Sequence, residues 1–329
     1  MDGFYSYAVQ TQHYFRRVHE GPARSPLKTP AAWRSSDPTS LGKWRVSLAP
    51  RYVDELHAAL ATAKQSGRPT GELSADDFPL PTLSGEIARW RETLASGRGF
   101  QVVSGVPVAD WSREDTELVY WCLGLHMGRP GAQNPQGDLL GHVFDTGDDA
   151  DDPFVRLYRT RSHIAYHCDA ADIVGLLCLR SALRGGTSRI VSSVTVYNEL
   201  LARRPDLAER LYEPFHLDIR NEDSSGALRH LPIPPCRFDG ARLRTFYHSD
   251  YFRSVVRHDD VPAFSGDELA LLDLYEEIAA RPDLYVDMDL APGDIQWLSN
   301  HTILHARSGY EDHAEPEQRR HLLRLWLSL

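Results

Sequence analysis

The sequence predicts an α+β protein, mainly β: a barrel or double-sheet roll with helices packed on it. Three observations carry this. Short apolar or alternating runs bounded by turn signals follow one another from residue 165 onward, and the terminal run alternates along its whole length. Helical spacing of apolar residues dominates the N-terminal part. Several short strands separated by turns favour a closed or double-layered antiparallel architecture over a parallel α/β fold.

The elements follow in order. Residues 1–50 are expected to form an extended N-terminal arm, Pro-, Ser- and Thr-rich over 21–50, ahead of a single domain spanning 51–329. Pro50 opens a helix whose apolar positions Val53, Leu56 and Leu60 recur at helical spacing. A second helix is expected from Ser84 as N-cap through Ile87, Trp90 and Leu94 to Gly97. Phe100 to Val103 reads as a strand ended by Ser104-Gly105, and Ser112-x-x-Asp115 resembles a capping box before Leu118, Val119 and Leu123. Ile173 to Leu179 is a continuous apolar strand, Gly185-Gly186 turns the chain, and Ile190 to Ser193 returns it. Helices are expected at 195–212 and 266–280, the latter opened by Ser265-x-x-Glu268. Val286, Met288 and Leu290 alternate with Asp287 and Asp289, Pro292-Gly293-Asp294 turns, and Ile295 to Leu298 and Arg319 to Leu327 supply the last strands.

Composition removes several function classes. The chain has 329 residues, 42% apolar and 25% charged, enough to bury a sizeable core. No apolar run approaches the roughly 18–20 residues of a membrane span, and the N-terminus lacks a signal-peptide layout, so a cytoplasmic location is expected. Four cysteines without a CxxC pair argue against a disulfide framework or zinc ribbon. A net charge of −10 opposes phosphate backbones, so nucleic acid is not an expected partner. A homo-oligomer is allowed and not predicted.

The sharpest chemical feature is Tyr166-His167-Cys168-Asp169. In an extended segment, residues two apart share a face, so His167 and Asp169 project together. An imidazole and a carboxylate side by side are two-thirds of a 2-His-1-carboxylate triad, which leaves coordination positions open and suits non-haem Fe(II) oxygenases. Alone the tripeptide is weak evidence, because 15 histidines make chance occurrences expected; the plain alternative is a His–Asp hydrogen bond on an ordinary strand. A third ligand is available in the C-terminal block Asn300-His301-Thr302-Ile303-Leu304-His305. On the terminal strand Arg320, Leu322, Arg324 and Trp326 share one face, and His321, Leu323, Leu325 and Leu327 share the core-packing face. Two guanidinium groups about 13 Å apart along the backbone would then face the barrel mouth, where an Arg fork suits a carboxylate. Surface arginines on an edge strand are the competing explanation. A metallohydrolase using zinc-bound water and a metal- or ligand-binding roll without turnover stay open on these residues.

These motifs in this order resemble the taurine dioxygenase-like (TauD/TfdA) family of Fe(II)/2-oxoglutarate-dependent dioxygenases. The resemblance covers roughly residues 80 to 329: the HxD of His167 and Asp169, Gly185-Gly186-Thr187-Ser188, Gly293-Asp294 with Asn300, His305, and Arg319-Arg320-His321-Leu322-Leu323-Arg324. It implies a double-stranded β-helix core (jelly roll, clavaminate synthase-like) with flanking helices. It implies Fe(II) held by His167, Asp169 and His305, and 2-oxoglutarate paired with Arg320 and the hydroxyl of Ser188 or Thr187. It further implies O2 as oxidant, Arg324 toward the anionic end of a small-molecule substrate, and a structural Asn300. The implied reaction is hydroxylation of an unactivated C–H bond coupled to decarboxylation of 2-oxoglutarate to succinate and CO2. Desaturation or cyclisation on the same scaffold is the neighbouring outcome. Related halogenases lack the carboxylate, so Asp169 disfavours halogenation. Natural-product tailoring and breakdown of small acids are both known roles in the family. His301 and His321 are expected to pack rather than ligate, and the acidic residues Asp145 to Asp152 to form a solvated loop without EF-hand spacing. The aromatic N-terminus (Phe4, Tyr5, Tyr7, Tyr14, Phe15) is expected to pack on the domain surface, with a lid over the pocket or a dimer contact as the alternatives.

Overall fold

Two antiparallel sheets face each other, and the side chains between them form both the central core and the candidate site. The computed structural model describes residues 4–220, 222 and 228–329. Along the chain come α1 (Tyr7–Phe15), α2 (Pro38–Leu41), β1 (Arg45–Ser47), α3 (Pro50–Gln65), α4 (Leu83–Ala95), β2 (Phe100–Ser104) and α5 (Arg113–Met127). Then follow β3 (Arg129–Gly131), β4 (Leu140–Val143), β5 (Ile164–His167), β6 (Ile173–Arg180), β7 (Arg184–Gly185) and β8 (Ser188–Ser192). Helices α6 (Ser193–Arg203) and α7 (Pro205–Arg210) precede β9 (Phe215–Asp218), β10 (His230–Ile233), β11 (Cys236–Phe238) and β12 (Leu243–Thr245). The chain closes with α8 (Ser249–Ser254), α9 (Gly266–Ala279), β13 (Tyr285–Met288), β14 (Ile295–Ser299), β15 (Ile303–Arg307), β16 (Tyr310–Glu311) and β17 (His321–Ser328).

The larger sheet has seven strands in the order β1-β2-β14-β6-β17-β3, with β4 also paired to β17; the smaller has four, β13-β8-β15-β5. Only β1 and β2 run parallel among the described pairs within these two sheets. The period-2 alternation of each strand sorts its residues between layers. Leu323, Leu325 and Leu327 of β17 pack with α3, α4 and α5, whereas Trp326 joins Val174, Leu298, Ile190 and Ile303 between the sheets. Leu304 and Ala306 of β15 face the cluster built by α6, α7 and α9, which puts His305 on the intersheet face with Ile303. This is the double-sheet roll that the alternating strands predicted.

Several expectations are corrected by particular contacts. Ser84 is not the N-cap of α4: the helix begins at Leu83, and the Glu55 carboxylate on α3 accepts from Thr82 N–H (2.9 Å) and Leu83 N–H (3.0 Å). A side chain from a neighbouring helix therefore supplies the acceptor that a serine would. The helix expected over 195–212 breaks at Arg204 into α6 and α7, because Pro205 has no N–H to continue the ladder. Strand β13 ends at Met288, short of Leu290, and β17 starts at His321, so Arg319 and Arg320 precede it.

Residues 4–50, expected as an extended lead-in, carry α1, α2 and β1 and are built into the body. Tyr14 is buried and its hydroxyl donates to Asn300 O (2.9 Å), while Trp33 is fully buried and donates from Nε1 to Arg98 O (2.9 Å). Strand β1 then extends the larger sheet at β2. Trp33→Ala is expected to cost about 3–5 kcal/mol of folding free energy; urea denaturation checks this, and a loss below about 1 kcal/mol would mean the segment is peripheral to the fold.

Candidate active site

Cross-strand register builds the centre of the site. In the smaller sheet His305 of β15 lies directly opposite His167, the last residue of β5, with ring centroids 4.1 Å apart. Asp169 follows two residues on, where β5 has ended. One ligand atom from each of His167, Asp169 and His305 lies within 4.8 Å of the others, and among the described residues no other such His/Cys/Asp/Glu cluster occurs. His167 Nδ1 faces Ala165 O at 2.9 Å, an arrangement that fixes the ring and leaves Nε2 for a metal. His305 Nε2 stands 3.9 Å from Asp169 Oδ2, and that buried carboxylate oxygen has no hydrogen-bond partner among the described residues. An unsatisfied buried anionic oxygen beside two imidazoles is the donor set a hard-to-borderline divalent cation completes.

The electrostatics agree with ligand function. Burial pushes the His305 pKa down to about 3, helped by the His167 ring, and burial also lowers His167. Both imidazoles are neutral near pH 7 and offer lone pairs. Burial alone would raise the Asp169 carboxyl, but Arg324, His305 and His167 outweigh it and hold the group below its ordinary value. Asn300, fully buried, accepts from Asp169 N–H (3.0 Å) and donates to Ala171 O (2.9 Å), pinning the turn after the HxD. His301 pairs with Asp172 (2.7 Å), and His321 meets His142 (3.0 Å); neither belongs to the metal cluster.

Of the residues expected at the co-substrate, Arg320 and Thr187 line a cavity that Ser188 does not. About 260 Å³ in volume, it is lined by Arg320, Gly185, Gly186, Thr187, Cys178 and Leu322 among others. Arg320 is buried and its Nη1 has no partner among the described residues. Gly186 has φ +72°, and a Cβ there would meet Arg320 Nε at 2.9 Å, so the glycine is what allows the guanidinium across the turn. Period-2 alternation separates the two hydroxyls. Ser188 shares the intersheet face with Ile190 and donates to Gln296 Oε1 (3.0 Å), whereas Thr187 donates outward to Asp289 (2.7 Å). Arg307 is buried on the same face as His305. Its Nη2 donates to Thr160 O (2.7 Å) and Ser162 O (2.6 Å), and its Nε and Nη1 lack partners among the described residues. Burial and the neighbouring Arg320 push its pKa down to about 10. The spacing His305-x-Arg307 on a strand held this signal in the sequence.

Arg324 lies with the metal cluster rather than with Arg320. Its Nε donates to Gln133 Oε1 (2.6 Å) and its Nη1 is 3.9 Å from Asp169 Oδ1. It lines a small cleft beside His167 and Asp169, together with Arg156, Tyr158, Arg220, His248, Asp250 and Tyr251. No motif pointed to His248, which forms a β-bridge with His167 and stacks on Tyr251 at 3.8 Å.

A family model described as taurine catabolism dioxygenase TauD, TfdA family, matches residues 65–326. The chain belongs to the TauD/TfdA family. The FR-33289 synthase of Streptomyces rubellomurinus is 30% identical over 318 residues, covering 93% of this chain and 91% of that protein. The taurine hydroxylase-like protein SAT17 of Stachybotrys chartarum is 28% identical over 330 residues, 97% of this chain and 84% of the relative. Among solved structures, an asparagine oxygenase in complex with Fe(II), 3-hydroxyasparagine and succinate superposes with a TM-score of 0.67 at 16% identity, covering 86% of this chain and 93% of that one. The non-haem iron oxygenase OrfP with Fe and α-ketoglutaric acid gives 0.63 at 17% identity, covering 86% and 94%. This TauD/TfdA member is therefore a dioxygenase that uses Fe(II), 2-oxoglutarate and O2, on the jelly-roll fold. Among the described residues no helix is long and apolar enough to cross a membrane.

Two histidines outside the metal cluster, His301 and His321, set a pH dependence of folding. Burial pushes His301 down to about 4 and His321 down to about 3. Their folded pKa values lie below the unfolded value near 6.5, so their contribution is complete above about pH 6.5 and is lost as pH falls toward 4. Unfolding then takes up a proton at each site, a slope of up to about 1.4 kcal/mol per pH unit per histidine. Urea midpoints of metal-free protein should fall over this window, and more shallowly in His321→Gln; equal slopes would show that His321 does not titrate this way.

Proposed function

We propose that this enzyme hydroxylates an unactivated C–H bond of a small molecule, with His167, Asp169 and His305 holding Fe(II) and Arg320 holding the distal carboxylate of 2-oxoglutarate. The observation that carries the reading is the buried His167–Asp169–His305 cluster, in which Asp169 Oδ2 is unsatisfied and both rings are neutral. Three protein ligands on one side of a cation leave open positions for co-substrate and O2. Bound together, iron and 2-oxoglutarate supply oxidative decarboxylation to succinate and CO2 and the oxidising power for the C–H bond.

The remaining residues bind, orient and exclude water. Arg320 offers Nη1 to a carboxylate from a buried position where a charge-assisted hydrogen bond is strongest. Ser188, rather than Thr187, is the hydroxyl we assign beside it, since it faces inward and can turn its proton from Gln296 to an incoming oxyanion. Arg307 adds a second guanidinium with free donors near Arg320. Arg324 holds Asp169 ionised and orients it through the contact at 3.9 Å, while Tyr158 and Trp326 pack against its guanidinium. Residues 51–329 act in this reading as one dioxygenase domain, with the first fifty residues wrapped on it.

Anaerobic protein given Fe(II) and 2-oxoglutarate should develop a visible metal-to-ligand charge-transfer band and, on exposure to O2, form succinate slowly without substrate. Arg320→Ala should weaken 2-oxoglutarate binding at least about thirtyfold, the loss expected when one partner of a buried charged pair is removed. His167→Ala should abolish the band by losing iron. Wild-type protein that binds iron and shows no band with 2-oxoglutarate would overturn the assignment.

A further inference from the structure

The cleft beside the metal cluster holds three guanidinium groups, and their commitments differ. Arg324 is occupied by Gln133 and Asp169. Arg156 donates to Gln133 O (2.8 Å) and pairs with Glu222 at 3.3 Å, a carboxylate that also takes the hydroxyls of Tyr7 (2.5 Å) and Tyr251 (3.5 Å). Arg220 has no carboxylate partner among the described residues. Among the described residues its side chain is held by a long bond from Nη1 to Val155 O (3.3 Å) and by stacking 4.2 Å over the Tyr251 ring, and its Nε is buried without a partner. The one other carboxylate lining this cleft besides the metal ligand, Asp250, forms no ion pair with Arg220 among the described residues.

Arg220 is also held in an unusual backbone state. Its φ of 48° is the one left-handed value at a non-glycine among the described residues, and its N–H donates to Asp218 Oδ1 (2.9 Å). Strained conformations of this kind persist where the surroundings impose them, and they cluster at functional positions. Asp218 is fully buried and fastened to Arg257, Ser254 and His258, so the strained turn rests on a rigid base. The result is a guanidinium with spare donors, aimed along an aromatic wall into the cleft that opens on His167 and Asp169 and continues outward through Arg156 and Tyr158 into a cavity of about 430 Å³.

We infer that Arg220, rather than Arg324, is the specificity-determining residue that takes an oxyanion of the small-molecule substrate and so positions its C–H bond at the metal cluster. The inference rests on the proposed function above, since it places the substrate in the cleft beside His167 and Asp169. A planar guanidinium with unused donors binds carboxylate, sulfonate and phosphonate oxygens alike, and the shared chemistry is a small organic oxyanion.

The test uses wild-type protein loaded anaerobically with Fe(II) and 2-oxoglutarate, with methylphosphonate as probe. Paramagnetic broadening of its phosphorus resonance reports binding near the metal, and acetate and methanesulfonate compete to distinguish the source of the oxyanion. Glycine adopts a φ of 48° without strain, so Arg220→Gly removes the guanidinium while sparing the turn; Arg220→Lys keeps the charge. Methylphosphonate affinity should fall about tenfold or more in Arg220→Gly and less in Arg220→Lys. Stronger displacement by acetate or by methanesulfonate would assign the head group and support the inference equally. Unchanged affinity in Arg220→Gly, or no broadening in wild type, would overturn it. The charge-transfer band of the same samples keeps the two readings apart: its absence would indict the metal and co-substrate assignment, whereas its presence without oxyanion binding would indict Arg220 alone.

Discussion

The antiparallel pairing of β15 with β5 sets His305 against His167, and the site's other contacts are arranged around that register. Side chains alternate along a strand, so a slip of one residue would carry His305 into the helix-facing layer with Leu304 and Ala306. The register is held from both sides. Strand β8 pairs along all five residues of β15, and its inward residue Ser188 is delivered to the face it shares with Arg307. Asn300, placed just before β15, ties the turn of the HxD to the same strand. The geometry that gathers three ligand atoms is therefore a property of sheet packing, to which the loops add only Asp169.

Charge placement follows from that packing. Asp169 is buried and carries Arg324 on one side and two neutral imidazoles on the other. Isolated, such a carboxylate would resist ionisation; with a guanidinium and a cation it is the stable form. Arg320 and Arg307 are likewise buried cations with unused donors, an arrangement that costs free energy in the absence of an anion and favours one when it is present. The roll thus buries one carboxylate oxygen and two guanidinium groups whose hydrogen-bonding capacity is unused among the described residues.

Much of this was legible in the sequence, for reasons that can be named. Strands such as β17 alternate strictly, so Leu323, Leu325 and Leu327 declared one layer and Leu322, Arg324 and Trp326 the other. Strand periodicity read His167 and Asp169 as neighbours on one face; in the structure Asp169 lies past the end of β5, and the turn pinned by Asn300 brings it to the site. What stayed hidden depended on contacts distant in sequence. Glu55 caps α4 from another helix, which no local pattern around Ser84 could show. Tyr14 and Trp33 in the first fifty positions are buried because the body offers them surfaces, Asn300 for the first and Arg98 for the second. Spacing alone gave Arg320 and Arg324 one face, yet β17 begins only at His321, so Arg320 lies outside the strand against the Gly186 turn while Arg324 stands beside Asp169.

The most direct test of this account is a crystal structure of the anaerobic protein with Fe(II) and 2-oxoglutarate, read at the iron absorption edge. A single anomalous peak is expected among His167 Nε2, the Asp169 carboxylate and His305 Nε2, with the distal carboxylate of 2-oxoglutarate on Arg320. An iron peak elsewhere, or a co-substrate carboxylate seated on another residue while Arg320 stays unpaired, would contradict it.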